Sequence, residues 1–100
     1  MYVLIIESNA DRARRLTNVC RAMGLDVQIS ADPLHGLMRA LRDEPAAIFI
    51  AAEDAWLGTV SVVGAFRRHK RLSTVPLVVT AGDGDERLFR WLGRRGRCAS

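Results

Sequence analysis

Cysteine is scarce in this 100-residue chain: Cys20 and Cys98 stand far apart, outside any C-x-x-C or Cys/His spacing. A disulfide framework and a structural zinc site are therefore not expected. Lysine is scarcer still, since Lys70 is the one lysine among fifteen basic residues. The two histidines, His35 and His69, have no partner pattern for nucleophilic or metal work and are expected at the surface. No apolar run approaches the length of a membrane span. The N-terminus, Met-Tyr-Val-Leu-Ile-Ile-Glu7, is too short and too soon charged for a signal peptide, so a cytoplasmic location is expected. Neither G-x-G-x-x-G nor a Walker loop is present, and Gly82-Asp-Gly84 reads as a turn. No cofactor is expected.

What is present is apolar material: 49% of the residues are hydrophobic, enough for one core and one domain spanning 1–100. The charge of +4 is unevenly spread. Residues 1–66 carry six arginines against eight acids, and residues 67–100 carry nine basic groups against three acids. The basic character belongs to the last third.

In chain order, Tyr2 to Ile6 is an apolar, β-branched strand ending at Glu7-Ser8-Asn9, where Ser8 or Asn9 can cap a helix and Asp11 suits its positive end. Ala13, Leu16, Cys20 and Met23 recur at helical spacing, with Arg12, Arg14, Arg15 and Arg21 off that face, and Gly24 stops the helix. Asp26 to Ser30 alternates as a half-exposed strand. A helix from about Pro33 carries Leu34, Leu37, Met38 and Leu41 as its apolar stripe. Then comes Pro45 to Ala51, a strand with no polar face, closing on Glu53 and Asp54. A loop from Trp56 to Gly58 leads to a helix with Thr59, Val62, Val63 and Phe66 inward and a solvated basic exit, Arg67 to Arg71. Val75 to Thr80 is a fourth strand, and Asp85 to Gly93 a fourth helix with Leu88, Phe89 and Leu92 inward. Alternating strands and helices with short connections predict an α/β three-layer sandwich on a parallel sheet.

In such a sheet, chemistry sits at the carboxyl ends of the strands. The residue standing there on the central strand is Ala51, which can neither accept a phosphoryl group nor bind a metal.

At Val3-Leu-Ile-Ile-Glu-Ser8, Pro45 to Ala51 and Val75-Pro-Leu-Val-Val79 the chain resembles the response-regulator receiver family, the flavodoxin-like phosphoacceptor domains of two-component signalling. Gly24-Leu-Asp-Val27 is similar to the family's entry to strand two, and Gly96 falls where a glycine precedes strand five. The resemblance implies a flavodoxin-like sandwich with sheet order 2-1-3-4 and four helices, truncated before strand five. It also implies a pocket in which acids after strand one and an aspartate after strand three hold Mg²⁺, with a hydroxyl after strand four and a lysine after strand five. A magnesium ion wants oxygen ligands, and a transferring phosphoryl group wants its charge neutralised. Here the acidic pair becomes Glu7 and Ser8, the phosphoacceptor becomes Ala51, and the hydroxyl position falls on Ala81, or on Thr80 with a one-residue deletion. The lysine position lies beyond Ser100. The resemblance therefore implies a pseudo-receiver, non-enzymatic, serving bacterial signalling as a phosphorylation-independent interaction or localisation module.

Three further expectations follow. Glu53 and Asp54 are the rival phosphoacceptor or metal ligands, although loop acids two or three residues past a pocket are ordinarily solvated. Trp56 is expected to cover the pocket mouth. The outer face of the last helix, Arg87, Arg90, Trp91, Arg94 and Arg95, has the composition of a protein-binding hot spot; nucleic acid is the alternative partner for this basic third, without a recognition motif to support it. Finally, Leu77, Val78 and Val79 would form an edge open to pairing, with three outcomes: a homodimer through that edge, a strand supplied by a partner or a downstream segment, or aggregation. Self-association is favoured, and the last helix is the other candidate homodimer surface.

Overall fold

The computed structural model describes residues 2–57 and 60–80. Strand β1 (Tyr2–Ile6) leads to helix α1 (Ala10–Ala22), then β2 (Asp26–Ser30), α2 (Pro33–Arg42) and β3 (Ala47–Ala51). A 3-10 turn over Ala52–Asp54 follows, then β4 (Trp56–Leu57), β5 (Val60–Ser61), α3 (Val62–Arg68) and β6 (Leu77–Thr80). The main sheet is parallel in the order β2-β1-β3-β6, the expected 2-1-3-4 arrangement of the principal strands. The expected fourth helix, Asp85 to Gly93, and with it the interaction face at Arg87, Arg90, Trp91, Arg94 and Arg95, lies outside the described residues.

Because successive side chains of a strand point to opposite faces, β1 and β3 each feed two cores. Leu4, Ile6, Ile48 and Ile50 pack with Ala40 of α2 and with Val62 and Phe66 of α3. Val3, Ile5, Ala47 and Phe49 pack with Leu16 and Cys20 of α1. Helices thus cover both faces, and the unbroken apolar reading of the central strands follows from burial on both sides. Each large side chain so buried contributes about 1.5–3 kcal/mol.

The caps explain the helix limits. Asn9, rather than Ser8, caps α1 by accepting from the Arg12 amide at 3.0 Å. At the other end Gly24 adopts φ +80, while its amide bonds the Arg21 carbonyl and the Leu25 amide bonds the Cys20 carbonyl. That pair of bonds is the Schellman closure, and the left-handed φ is what calls for glycine. Asp32 caps α2, with Pro33 in its first turn.

Several expected inner faces need correction. In α2 the buried residues are Pro33, Gly36 and Ala40, with Leu37 and Leu41 half-buried against the core. Leu34 and Met38 are 55% and 53% exposed. The stripe is rotated because the small residues let the helix lie close to β1: a Cβ added at Gly36 would sit 2.7 Å from Ile6 Cδ1. Met23 is likewise exposed, because it is the C-cap of α1 and has left the helical face. The stretch after Asp54 contains a short antiparallel ladder, with Trp56 opposite Ser61 and Leu57 opposite Val60. Ser61 then caps α3. Trp56 is 58% exposed. Arg67, expected in a solvated basic end, is exposed but donates to the Ser73 and Val75 carbonyls, tying the exit of α3 to the approach of β6.

Candidate functional site

The carboxyl ends of β1, β3 and β6 meet in adjacent positions. Parallel pairing sets Ile6 beside Ile50 and Ala51 beside Thr80. Glu7 follows β1 directly, with its amide bonded to the Ser30 carbonyl at 3.0 Å. Its side chain is buried, the residue being 4% exposed. Ala51 and Thr80 are buried as well. The pocket floor therefore presents a carboxylate, a methyl group and a hydroxyl.

Arg12 closes this end. As the third residue of α1 its side chain leans back toward the helix N-terminus, as helical side chains do. The guanidinium Nε donates to Glu7 Oε1 at 2.5 Å, and Nη2 donates to Glu53 Oε1. Asp54 Oδ2 accepts from the Ser8 amide at 2.9 Å. The two acids of the 3-10 turn are thereby attached to the β1–α1 junction, one through a side chain and one through backbone. Glu53 remains largely exposed while making its pair.

Glu7 is unevenly satisfied. Its Oε1 faces Arg12, but Oε2 is buried without a hydrogen-bond partner among the described residues. Burial pushes the Glu7 carboxyl above its ordinary range, the hydrogen bond and charge of Arg12 oppose that shift, and Asp54 and Glu53 add to it. The Arg12 guanidinium is held still more firmly charged, chiefly by its bond to Glu7.

A response regulator from Desulfuromonas acetoxidans superposes with TM-score 0.73 at 10% identity, over 81% of this chain and 66% of that one. A chemotaxis response regulator of Vibrio cholerae gives 0.69 at 16%, over 79% and 66%. A sensor protein from Polaromonas sp. gives 0.70 at 24%, over 85% and 68%. The fold is the receiver fold. No family model and no curated relative matches the sequence. The chain spans about two thirds of the length of the first two of these structures.

A receiver fold implies a divalent cation at this end of the sheet, and the side chains present do not fit one. Of the two acidic positions after strand one, Ser8 has no carboxylate and Glu7 is engaged by a cation already. Ala51 supplies no oxygen from its side chain. Among the described residues no group of three His, Cys, Asp or Glu is arranged to hold a metal ion.

Of the pocket positions read from the sequence, the structure brings together Glu7, Ser8 and Ala51, and sets Thr80, the alternative hydroxyl position, in register with Ala51. Ala81 lies outside the described residues. Leu77, Val78 and Val79 form β6 with half-buried side chains. Sequence spacing sets Arg12 off the apolar face of α1 and assigns it no partner. Its one local signal is a cation in the first turn, where the helix dipole disfavours positive charge and a nearby carboxylate offsets that.

Proposed function

We propose that this chain is a pseudo-receiver: a non-catalytic module of bacterial two-component signalling that acts in the cytoplasm by binding a protein partner without being phosphorylated. The observation that carries the reading is Ala51. At the end of the central strand of a receiver fold it puts a buried methyl group where a phosphoacceptor carboxylate is required. The occupation of Glu7 by Arg12 supports the same reading, because a phosphoryl group transferred there would lack its metal. Glu53 and Asp54 are weak replacements, since one is paired with Arg12 and the other with the Ser8 amide.

The docking face we assign is the one read from the sequence, Arg87, Arg90, Trp91, Arg94 and Arg95, which combines arginines with a tryptophan. The test is chemical. Incubation with acetyl phosphate and Mg²⁺, or with beryllofluoride, is expected to change neither the intact mass nor the backbone NMR spectrum. A stoichiometric adduct, or shifts clustered at residues 7, 51 and 80, overturns the reading.

A further inference from the structure

We propose that Arg12 is the resident cation of this pocket, its guanidinium joining Glu7 and Glu53 in the role a divalent ion has in a metal-holding receiver, and so closing the pocket to metals. The inference rests on the reading of this site as a degenerate receiver pocket, but its test does not pass through phosphorylation.

Three observations support it. First, Arg12 spans two elements: Nε reaches Glu7 after β1, and Nη2 reaches Glu53 after β3. A cation at that point links the β1 end to the β3 end as a shared metal would. Second, the backbone of Arg12 is fixed, since its amide is the group that Asn9 caps. The guanidinium therefore projects from an anchored point, and its planar fork can serve two carboxylates at once. Third, Glu7 is buried and one of its oxygens has no partner among the described residues. A buried carboxylate this poorly satisfied requires a nearby positive charge, and removal of that charge leaves it without compensation.

The arrangement also gives the acids of the turn a structural role beside an inert alanine. Glu53 anchors one end of the guanidinium and Asp54 holds the Ser8 amide, so both shape the closed pocket without any phosphoryl chemistry.

The experiment uses Mn²⁺ as the probe and NMR as the readout. In the wild-type protein the Arg12 Nε–H resonance is expected to be slow to exchange with water, and about 1 mM Mn²⁺, roughly the upper end of the dissociation constants of weak oxygen-ligand sites, is expected to leave the Glu7 and Ser8 amides unbroadened. Arg12→Met removes the charge and keeps the length of the stem. It is expected to lower the melting temperature and to tighten Mn²⁺ binding by about tenfold or more, since one unit of charge is taken from beside the carboxylates. Broadening should then centre on residues 7, 8 and 53, and a second change, Glu7→Gln, should abolish it.

Arg12→Lys keeps a charge but not the fork, and is expected to fold and to respond to Mn²⁺ between the two extremes. If Arg12→Met does not fold, the wild-type Nε resonance and the lysine variant decide. Mn²⁺ broadening of the wild-type Glu7 and Ser8 amides, a solvent-averaged Arg12 Nε–H, or an Arg12→Met protein that folds and ignores Mn²⁺ would each overturn the proposal. An acetyl phosphate adduct at an unexpected residue would instead overturn the functional reading while leaving the Arg12 measurements to stand or fall on their own.

Discussion

Ala51 stands in register with Thr80 at the last paired position of β3 and β6, so a methyl group and a hydroxyl share the floor of the pocket. Both residues are buried. An aspartate at 51 would bring a second carboxylate close to Glu7, whose single described counter-charge is already divided with Glu53. Ala51→Asp is therefore expected to destabilise the fold by roughly 2–4 kcal/mol, the cost of a poorly compensated buried charge. Urea titration measures it. The variant is also expected to remain unmodified by acetyl phosphate, because the position alone does not restore the second acid or free Glu7 from Arg12.

The contact between Gly36 and Ile6 gives a second prediction. An added Cβ at Gly36 would lie 2.7 Å from Ile6 Cδ1 and 2.9 Å from Cγ1, too close without a shift of a fully buried side chain. Gly36→Ala gains about 1 kcal/mol of helix propensity, but overpacking costs about 1–3 kcal/mol. Net destabilisation is expected, and Ile6→Val, which removes Cδ1, should relieve part of it. A double-mutant cycle should therefore show a favourable coupling between the two changes.

The sheet was legible because β1 and β3 are buried on both faces and read as unbroken apolar runs, while Asn9, Gly24 and Pro33 mark helix ends by chemistry that depends only on local backbone. The alanine at the end of β3 followed from that, whereas the order of strands rested on the resemblance to receiver domains. The helix faces were less legible. In α2 the hydrophobic period favoured Leu34 and Met38, whereas close packing on Ile6 selected Gly36 and Ala40. Propensity and period do not encode how near a helix approaches its sheet. Arg12 was hidden for a different reason: its two acidic partners are five and forty-one positions away, and the second is brought near only by the pairing of β1 with β3.

The rotated face of α2 can be tested directly. Leu34→Ala and Met38→Ala remove exposed side chains and are expected to change stability by less than about 0.5 kcal/mol. Leu37→Ala removes a half-buried side chain that packs against the core of Leu4, Ile6, Ile48 and Ile50 and is expected to cost about 1–2 kcal/mol. Equal costs for Leu34 and Leu37 in thermal melts would restore the stripe expected from the sequence.

Alkaline pH supplies the last prediction. Burial pushes the Cys20 thiol above its ordinary value of 9.0, and burial together with the charge of Asp43 pushes the Tyr2 hydroxyl above 10.0. The Tyr2 hydroxyl is also committed as a donor to the Asp43 carbonyl. In both cases the folded chain holds its proton more tightly than the unfolded chain, so the stabilisation is fully present below the unfolded value and is lost as pH rises through the folded one. Stability in urea is therefore expected to decline as pH rises above about 9, first through Cys20 and then through Tyr2. Cys20→Ala should weaken the first part of the decline, although its starting stability will be lower because the thiol is fully buried beside Leu16 and Phe49. In a Cys98→Ser background, Ellman's reagent at pH 8 should leave Cys20 unmodified until urea unfolds the protein. Prompt modification of the folded protein, or a stability that holds level from pH 8 to about 10.5 across both ordinary values, would contradict the burial of these two groups.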